Sequence, residues 1–169
     1  MRSINLAVLT LGILLLTFGI SIAQPDDKKA AEEAPPPTCD GRVATIVGTE
    51  GNDVLTGTDN DDVIVGLGGN DTISGKKGKD YICGGEGNDI IEGNKGPDKI
   101  YGDAGDDRIK GNRGLDVVYG GEGNDTLEGN EAEDFLDGGP GTDNLDGGDG
   151  VDKCLNAEQW KNCDGTGGS

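Results

Sequence analysis

The chain has 169 residues, 33 of them Gly, and its 33 acidic side chains outnumber 14 basic ones, for a formal charge of −19. It contains no His, which removes imidazole metal sites and the Ser-His-Asp and Cys-His catalytic systems. Nucleic-acid binding needs a basic footprint that this balance lacks, and a hydrophobic share of 32% leaves little for a conventional core.

The first predicted element is a leader. Arg2 precedes an apolar run from Leu6 to Ile20, and Ser21-Ile22-Ala23 supplies a small-residue cleavage site. The run is shorter than the roughly 20 residues that span a bilayer. Residues 1–23 therefore read as a cleaved signal peptide, and the mature chain as secreted and extracellular, with no membrane span. Residues 24–38 are charged and Pro-rich without apolar periodicity, which predicts a disordered linker. Residues 39–47 read as an N-terminal cap, in which Thr45-Ile46-Val47 looks like half of the unit described next, with Ala44 in place of its Asp.

From residue 48 the chain keeps a nine-residue clock. Asp recurs at Asp53, Asp62, Asp71, Asp80, Asp89, Asp98, Asp107, Asp116, Asp125, Asp134, Asp143 and Asp152, twelve times in succession. A Gly stands five residues before each of them. Gly also fills ten of the twelve places two residues before, Asn60 and Ala132 being the exceptions. Two residues after each Asp stands an apolar side chain: Leu55, Ile64, Ile73, Ile82, Ile91, Ile100, Ile109, Val118, Leu127, Leu136, Leu145 and finally Cys154. A fixed short period is the mark of a stacked repeat architecture. The unit is G-(G/N/T)-x-G-x-D-x-U-x with U apolar, and Gly84 to Glu92 is a complete copy.

This unit resembles the RTX, or hemolysin-type, calcium-binding nonapeptide, and the resemblance covers residues 48–155. It implies an all-β fold, a right-handed parallel β-roll (a β-solenoid) of twelve repeats with two to a coil. In that fold the first six residues of each unit form a calcium-binding turn and the last three a short strand. Calcium is then the implied ligand, and all twelve repeat aspartates, Asp53 and Asp62 included, are its expected carboxylate ligands. No other domain remains to hold a catalytic site, so no enzymatic activity is expected.

Residue chemistry points the same way. With two repeats per coil, residues eighteen apart stack, so odd repeats align Asp53 with Asp71 onwards and even repeats align Asp62 with Asp80 onwards. Adjacent strands lie about 4.8 Å apart, and a column of carboxylates at that spacing repels itself without a counter-ion. Ca²⁺ takes roughly six to eight oxygen ligands from carboxylates and backbone carbonyls, whereas Mg²⁺ demands a tighter octahedron. Each column of six turns encloses five gaps, which gives up to about ten ions for the two columns. The inward side chains are few against the entropy of ordering a Gly-rich backbone. Folding is therefore expected to be coupled to calcium.

Asn94, Asp103, Asn112 and Asn130, at the second repeat position, are residue types that tolerate positive φ. Thr49, Thr58, Leu67 and Lys76 fit there less well, which predicts irregular turns in the first four repeats. Outward strand positions of the even repeats carry Tyr81, Tyr101, Tyr119 and Phe135. That strip reads either as a contact surface for an extracellular protein or glycan, or as a row that the terminal segments cover or that merely supports the strands.

Four cysteines allow three pairings. An exported location favours disulfides, and the lack of a C-x-x-C knuckle argues against zinc. Cys154 and Cys163 would close a short C-terminal loop, leaving Cys39 for Cys83. Residues 156–169 read as a C-terminal cap and tail. There Asn156 to Asn162 is predicted as a short helical turn, Trp160 as a lid on the last coil, and Gly165 to Ser169 as a loose end.

Overall fold

A computed structural model describes residues 34–167; the leader and the linker up to residue 33 lie outside the described residues. The chain enters through a two-residue-strand hairpin, β1 (Thr38–Cys39) antiparallel to β2 (Arg42–Val43). Short strands β3 (Ile46–Val47) and β4 (Val54–Thr56) begin a regular alternation. It continues through β5 (Val63–Gly68), β6 (Thr72–Lys77), β7 (Tyr81–Glu86), β8 (Ile90–Lys95) and β9 (Lys99–Ala104). Next come β10 (Arg108–Arg113), β11 (Val117–Glu122), β12 (Thr126–Glu131), β13 (Phe135–Asp137), β14 (Asn144–Asp149) and β15 (Lys153–Leu155). The chain closes with β16 (Gln159–Lys161) and β17 (Gly165–Gly167), and there is no helix among the described residues.

Strands β4 to β16 with even numbers form a seven-stranded sheet, and those from β3 to β17 with odd numbers an eight-stranded one. Every ladder in both sheets is parallel, and strands adjacent in space are never consecutive in sequence. Each coil thus gives one strand to each sheet, which is a parallel β-roll. Registers such as Ile73↔Ile91 and Ile82↔Ile100 place equivalent repeat positions on top of one another. Between the sheets lies a single file of apolar side chains, Ile64 through Leu145, none more than 1% exposed, ended by Cys154 at 4%. One side chain per repeat fills this core, which is why the sequence has period nine and so few apolar residues.

The regular strands run six residues, not three. They continue through the repeat's first Gly and its second residue. That second residue is left-handed, with φ 79° at Asn94 and 81° at Asn130, yet it stays in register, as Asn94↔Asn112 shows. The bend therefore turns the chain without interrupting the ladder.

Of the first four turns, only the first two are irregular. Leu67 and Lys76 take φ of 81° and 80°, the same as the asparagines, because neighbouring coils impose the backbone on them. Thr49 and Thr58 do not. Each instead closes its turn with its own hydroxyl, as described below.

Both ends depart from expectation. Asn156 to Asn162 is not helical: its Gln159–Lys161 segment is β16, which pairs with β14 so that Trp160 stacks in register with Leu145. Trp160 is 51% exposed, as the last inward residue of an open sheet must be. Gly165–Gly167 is no loose end either, since it pairs with β15. Unpaired sheet edges leave N–H and C=O groups unsatisfied, and these short strands satisfy them.

Disulfides join Cys39 to Cys83 and Cys154 to Cys163, each with Cα atoms 5.8 Å apart. The first holds the hairpin on the eight-stranded sheet. There the Arg42 guanidinium lies 3.9 Å from the Tyr81 ring centroid. Asp40 accepts the Tyr101 hydroxyl proton at 3.1 Å and pairs with Lys99 at 3.1 Å. Tyr101 stacks on Tyr119 at 5.0 Å, and Phe135 follows, tilted, at 5.8 Å. The aromatic strip is thus a ladder brace whose first half the N-terminal hairpin occupies, so it is not an open contact surface along its length.

Candidate metal-binding turns

Each repeat Asp ends the turn that leads into a strand, and the eighteen-residue register brings it beneath its equivalent in the next coil. One carboxylate oxygen is then used by the backbone. Oδ1 of Asp89 accepts the N–H of Asp71 at 2.8 Å, and the bond recurs from Asp53 N–H to Asp71 through to Asp134 N–H to Asp152. Past the last odd repeat, Glu158 takes over this role, accepting the Asp143 N–H at 2.7 Å. Sequence reading missed Glu158 because the register shortens there and moves it off the nine-residue clock; Glu-x-Trp-x, an acid two residues before an apolar side chain, was the available signal.

The other oxygen is left over. Oδ2 of Asp71, Asp80, Asp89, Asp98, Asp107, Asp116, Asp125, Asp134, Asp143 and Asp152 is buried and has no hydrogen-bond partner. A buried unpaired carboxylate oxygen is costly. Burial raises the carboxyl of Asp98 to about 7, with the neighbouring Asp116 and Asp80 adding to it and the Asp80 N–H opposing. Asp107 and Asp134 are raised to about 7, and Asp80, Asp89, Asp116 and Asp125 to about 6, burial again being the largest cause.

Asp53 and Asp62 differ. Oδ2 of Asp53 accepts the Thr49 N–H at 2.6 Å and the Thr49 hydroxyl at 2.9 Å. Oδ2 of Asp62 accepts the same pair from Thr58, also at 2.6 and 2.9 Å. In these two turns the protein itself saturates the oxygen that is orphaned in the other ten.

The glycine five residues before each Asp opens the space beside Oδ2. A Cβ on Gly93 would lie 2.5 Å from Asp98 Oδ2 and 3.0 Å from the Gly111 carbonyl oxygen, so only Gly leaves that cradle clear. Backbone carbonyls also line the turns one coil on: Gly69 and Gly78 present theirs to Gly87 and Gly96, where a Cβ would collide with them. Among the described residues no three Asp, Glu, Cys or His side chains converge. Any metal held here must therefore draw on main-chain oxygens. Unpaired carboxylate oxygens with carbonyls around them form a hard, all-oxygen donor set, the chemistry that suits Ca²⁺ rather than a thiophilic metal.

A second ladder, invisible in the single-repeat pattern, braces the turns that precede the odd-repeat aspartates. Asn52 accepts the Asn70 N–H at 2.8 Å, Asn70 that of Asn88 at 2.9 Å, and Asn88 that of Asp106 at 3.0 Å. Its signal was the run of Asn or Asp immediately before the odd aspartates.

A parallel β-roll with columns of orphaned carboxylates at its turns is the architecture of a calcium-binding repeat protein. The family model of the RTX calcium-binding nonapeptide repeat (4 copies) matches residues 47–82, 84–118 and 119–154, and the chain belongs to that family. A comparison with curated proteins finds no match. Calcium binding follows from the family, whose repeat is a structural calcium-binding unit and not an enzyme domain.

Proposed function

We propose that this is a secreted, non-enzymatic calcium-binding module whose roll folds when calcium binds. The observation that carries the reading is the set of ten buried Oδ2 atoms without partners. Asp71, Asp80, Asp89, Asp98, Asp107, Asp116, Asp125, Asp134, Asp143 and Asp152 would hold the metal with carbonyls of the adjacent turns. Asp53 and Asp62 serve as structural ends, their oxygens closed by Thr49 and Thr58. Bound calcium supplies positive charge to both columns and removes the repulsion that opposes stacking. Two disulfides and the leader-like residues 1–23 support an oxidising, extracellular location.

The test is far-UV circular dichroism of the chain from residue 24, stripped with chelator and titrated with calcium or magnesium. A cooperative coil-to-β transition with calcium alone supports coupled folding. A chain already β-rich in chelator would leave calcium a bound ligand without a folding role, and one that stays coil in millimolar calcium would overturn the reading.

A further inference from the structure

The roll ends in β3 and β4 on the N-terminal side and in β17 and β16 on the C-terminal side. The hairpin does not cover the first end, since its contacts run down the sheet face to Tyr81, Cys83 and Tyr101. The inward residues there, Ile46 and Leu55, are only partly buried, and Val47 and Val54 beside them are 42% and 79% exposed. At the other end Trp160, the last inward residue of the seven-stranded sheet, is half exposed. Single exposed apolar side chains need no explanation, but these stand at the two ends of one file.

The leftover hydrogen-bonding groups of the two ends are complementary. Two bonds join one coil to the next at each odd-repeat Asp. Asp53 N–H donates to Asp71 Oδ1 at 2.8 Å, and Thr72 N–H donates to the Asp53 carbonyl at 2.9 Å. The last such junction pairs Asp143 with Glu158: Asp143 N–H bonds the Glu158 carboxylate, and Gln159 N–H the Asp143 carbonyl at 3.1 Å. Each end of the roll therefore keeps half of a junction. Among the described residues the Glu158 N–H and carbonyl have no partner, and neither have Asp53 Oδ1 and the Val54 N–H.

We infer that copies of this chain stack head to tail, the C-terminal end of one on the N-terminal end of the next. Every ladder of the two sheets is parallel, so a copy displaced along the roll axis meets its neighbour with the strand direction unchanged. Gln159, Trp160 and Lys161 then continue the register over Val54, Leu55 and Thr56 of the next copy. Trp160 packs on Leu55, the Glu158 N–H donates to Asp53 Oδ1, and the Val54 N–H donates to the Glu158 carbonyl. A single peptide strand could cover one sheet edge only. A second copy brings two strands at the right separation with an apolar side chain between them. The contact is small and belongs with the weak interfaces. Its two faces differ, so it is heterologous and does not close at two copies. A formal charge of −19 holds metal-free copies apart, so stacking follows calcium loading. The inference rests on the calcium reading in that the roll must be folded and its charge offset.

The test uses the chain from residue 24 in saturating calcium, with folding checked by circular dichroism. Sedimentation is followed from micromolar to millimolar protein, together with the emission of Trp160, the only Trp of the chain. The average mass should climb past that of a dimer without a plateau, and the emission should move to shorter wavelength as Trp160 leaves water. Val54→Lys, at an exposed side chain, and Trp160→Asp should each weaken self-association by about tenfold or more. Mixed together, the two variants should form a dimer and stop there, because one keeps a sound C-terminal end and the other a sound N-terminal end. If Trp160→Asp does not fold, Val54→Lys alone decides. A folded chain that stays monomeric at every concentration overturns the proposal. So does a plateau at the dimer, or dimerisation of Val54→Lys by itself, either of which would mark a contact between like ends. Association unaltered in both variants would place the contact on another surface and overturn it too. A chain that never folds in calcium is a failure of the calcium reading and shows itself in the dichroism first.

Discussion

Ala132 occupies the one regular turn position where a Cβ stands in place of glycine's hydrogen, at φ 89°. The neighbouring ladder records the cost. The Gly114 N–H reaches the Glu131 carbonyl at 3.4 Å, while Gly96, Gly87 and Gly105 make the equivalent bond at 2.8 Å. Left-handed backbone costs a non-glycine residue roughly 1–2 kcal/mol, of which glycine's greater unfolded-state entropy returns part. Ala132→Gly is expected to stabilise the calcium-loaded roll by up to about 1 kcal/mol, read as a raised midpoint in thermal unfolding. Gly93→Ala acts in the opposite sense. Its Cβ would fill the space between Asp98 Oδ2 and the Gly111 carbonyl, so it should cost about 1–3 kcal/mol and lower calcium affinity. The threonine turns allow a sharper comparison. Asp98→Asn should reduce the number of calcium ions bound in calorimetry, whereas Asp62→Asn should leave that number unchanged, because Thr58 already saturates Asp62 Oδ2.

At the scale of the element, the two aspartate columns titrate. Burial raises Asp80, Asp89, Asp98, Asp107, Asp116, Asp125 and Asp134 to about 6 or 7, above an ordinary value of 3.8. The folded columns therefore bind more protons than the unfolded chain. Without metal, their protonated form favours folding below about pH 4, and that contribution is lost as pH rises through 6 to 7. In chelator, β-structure should appear on acidification and melt away towards pH 8, as circular dichroism across a pH series would show. Calcium loading at pH 6.5 should release protons, detectable as a buffer-dependent heat in calorimetry. The terminal strands respond to a different stress. β16 and β17 are short and meet the roll along one edge each, with the Cys154–Cys163 bridge beside them. Reduction should speed amide exchange in β15 to β17 and leave β8 to β12 protected.

For the whole molecule, core and charge pull against each other. A single file of side chains from Ile64 to Cys154 forms the core of the roll, with Ile46, Leu55, Ala157 and Cys163 packed against it, and it is flanked by buried carboxylates such as Asp80 and Asp98. That balance is why a divalent oxygen-seeking cation, and not salt in general, is expected to order the chain. Magnesium at equal concentration should leave it largely coil, because its octahedral shell is less adaptable to carbonyl-lined turns.

The sequence by itself determined the period and the one apolar position in each repeat, because a strict spacing of nine survives without knowledge of any contact. The parallel β-roll, and the two-repeat coil that stacks the carboxylates, were implied by the resemblance of that unit to the RTX nonapeptide. Only the tertiary structure decided what happens where spacing breaks or where coils touch. The nine-residue clock equates Asp62 with Asp98, yet the Thr58 hydroxyl makes them chemically different. Local preference set Leu67 and Lys76 apart from Asn94, but the ladder on either side overrode it and bent all three alike. Glu158 and Trp160 continue the stack through a shortened register that no fixed period can anticipate. Lys77, Lys95, Arg113, Glu131 and Asp149 are scattered surface charges in the linear chain, and become one row only because parallel coils superpose residues eighteen apart.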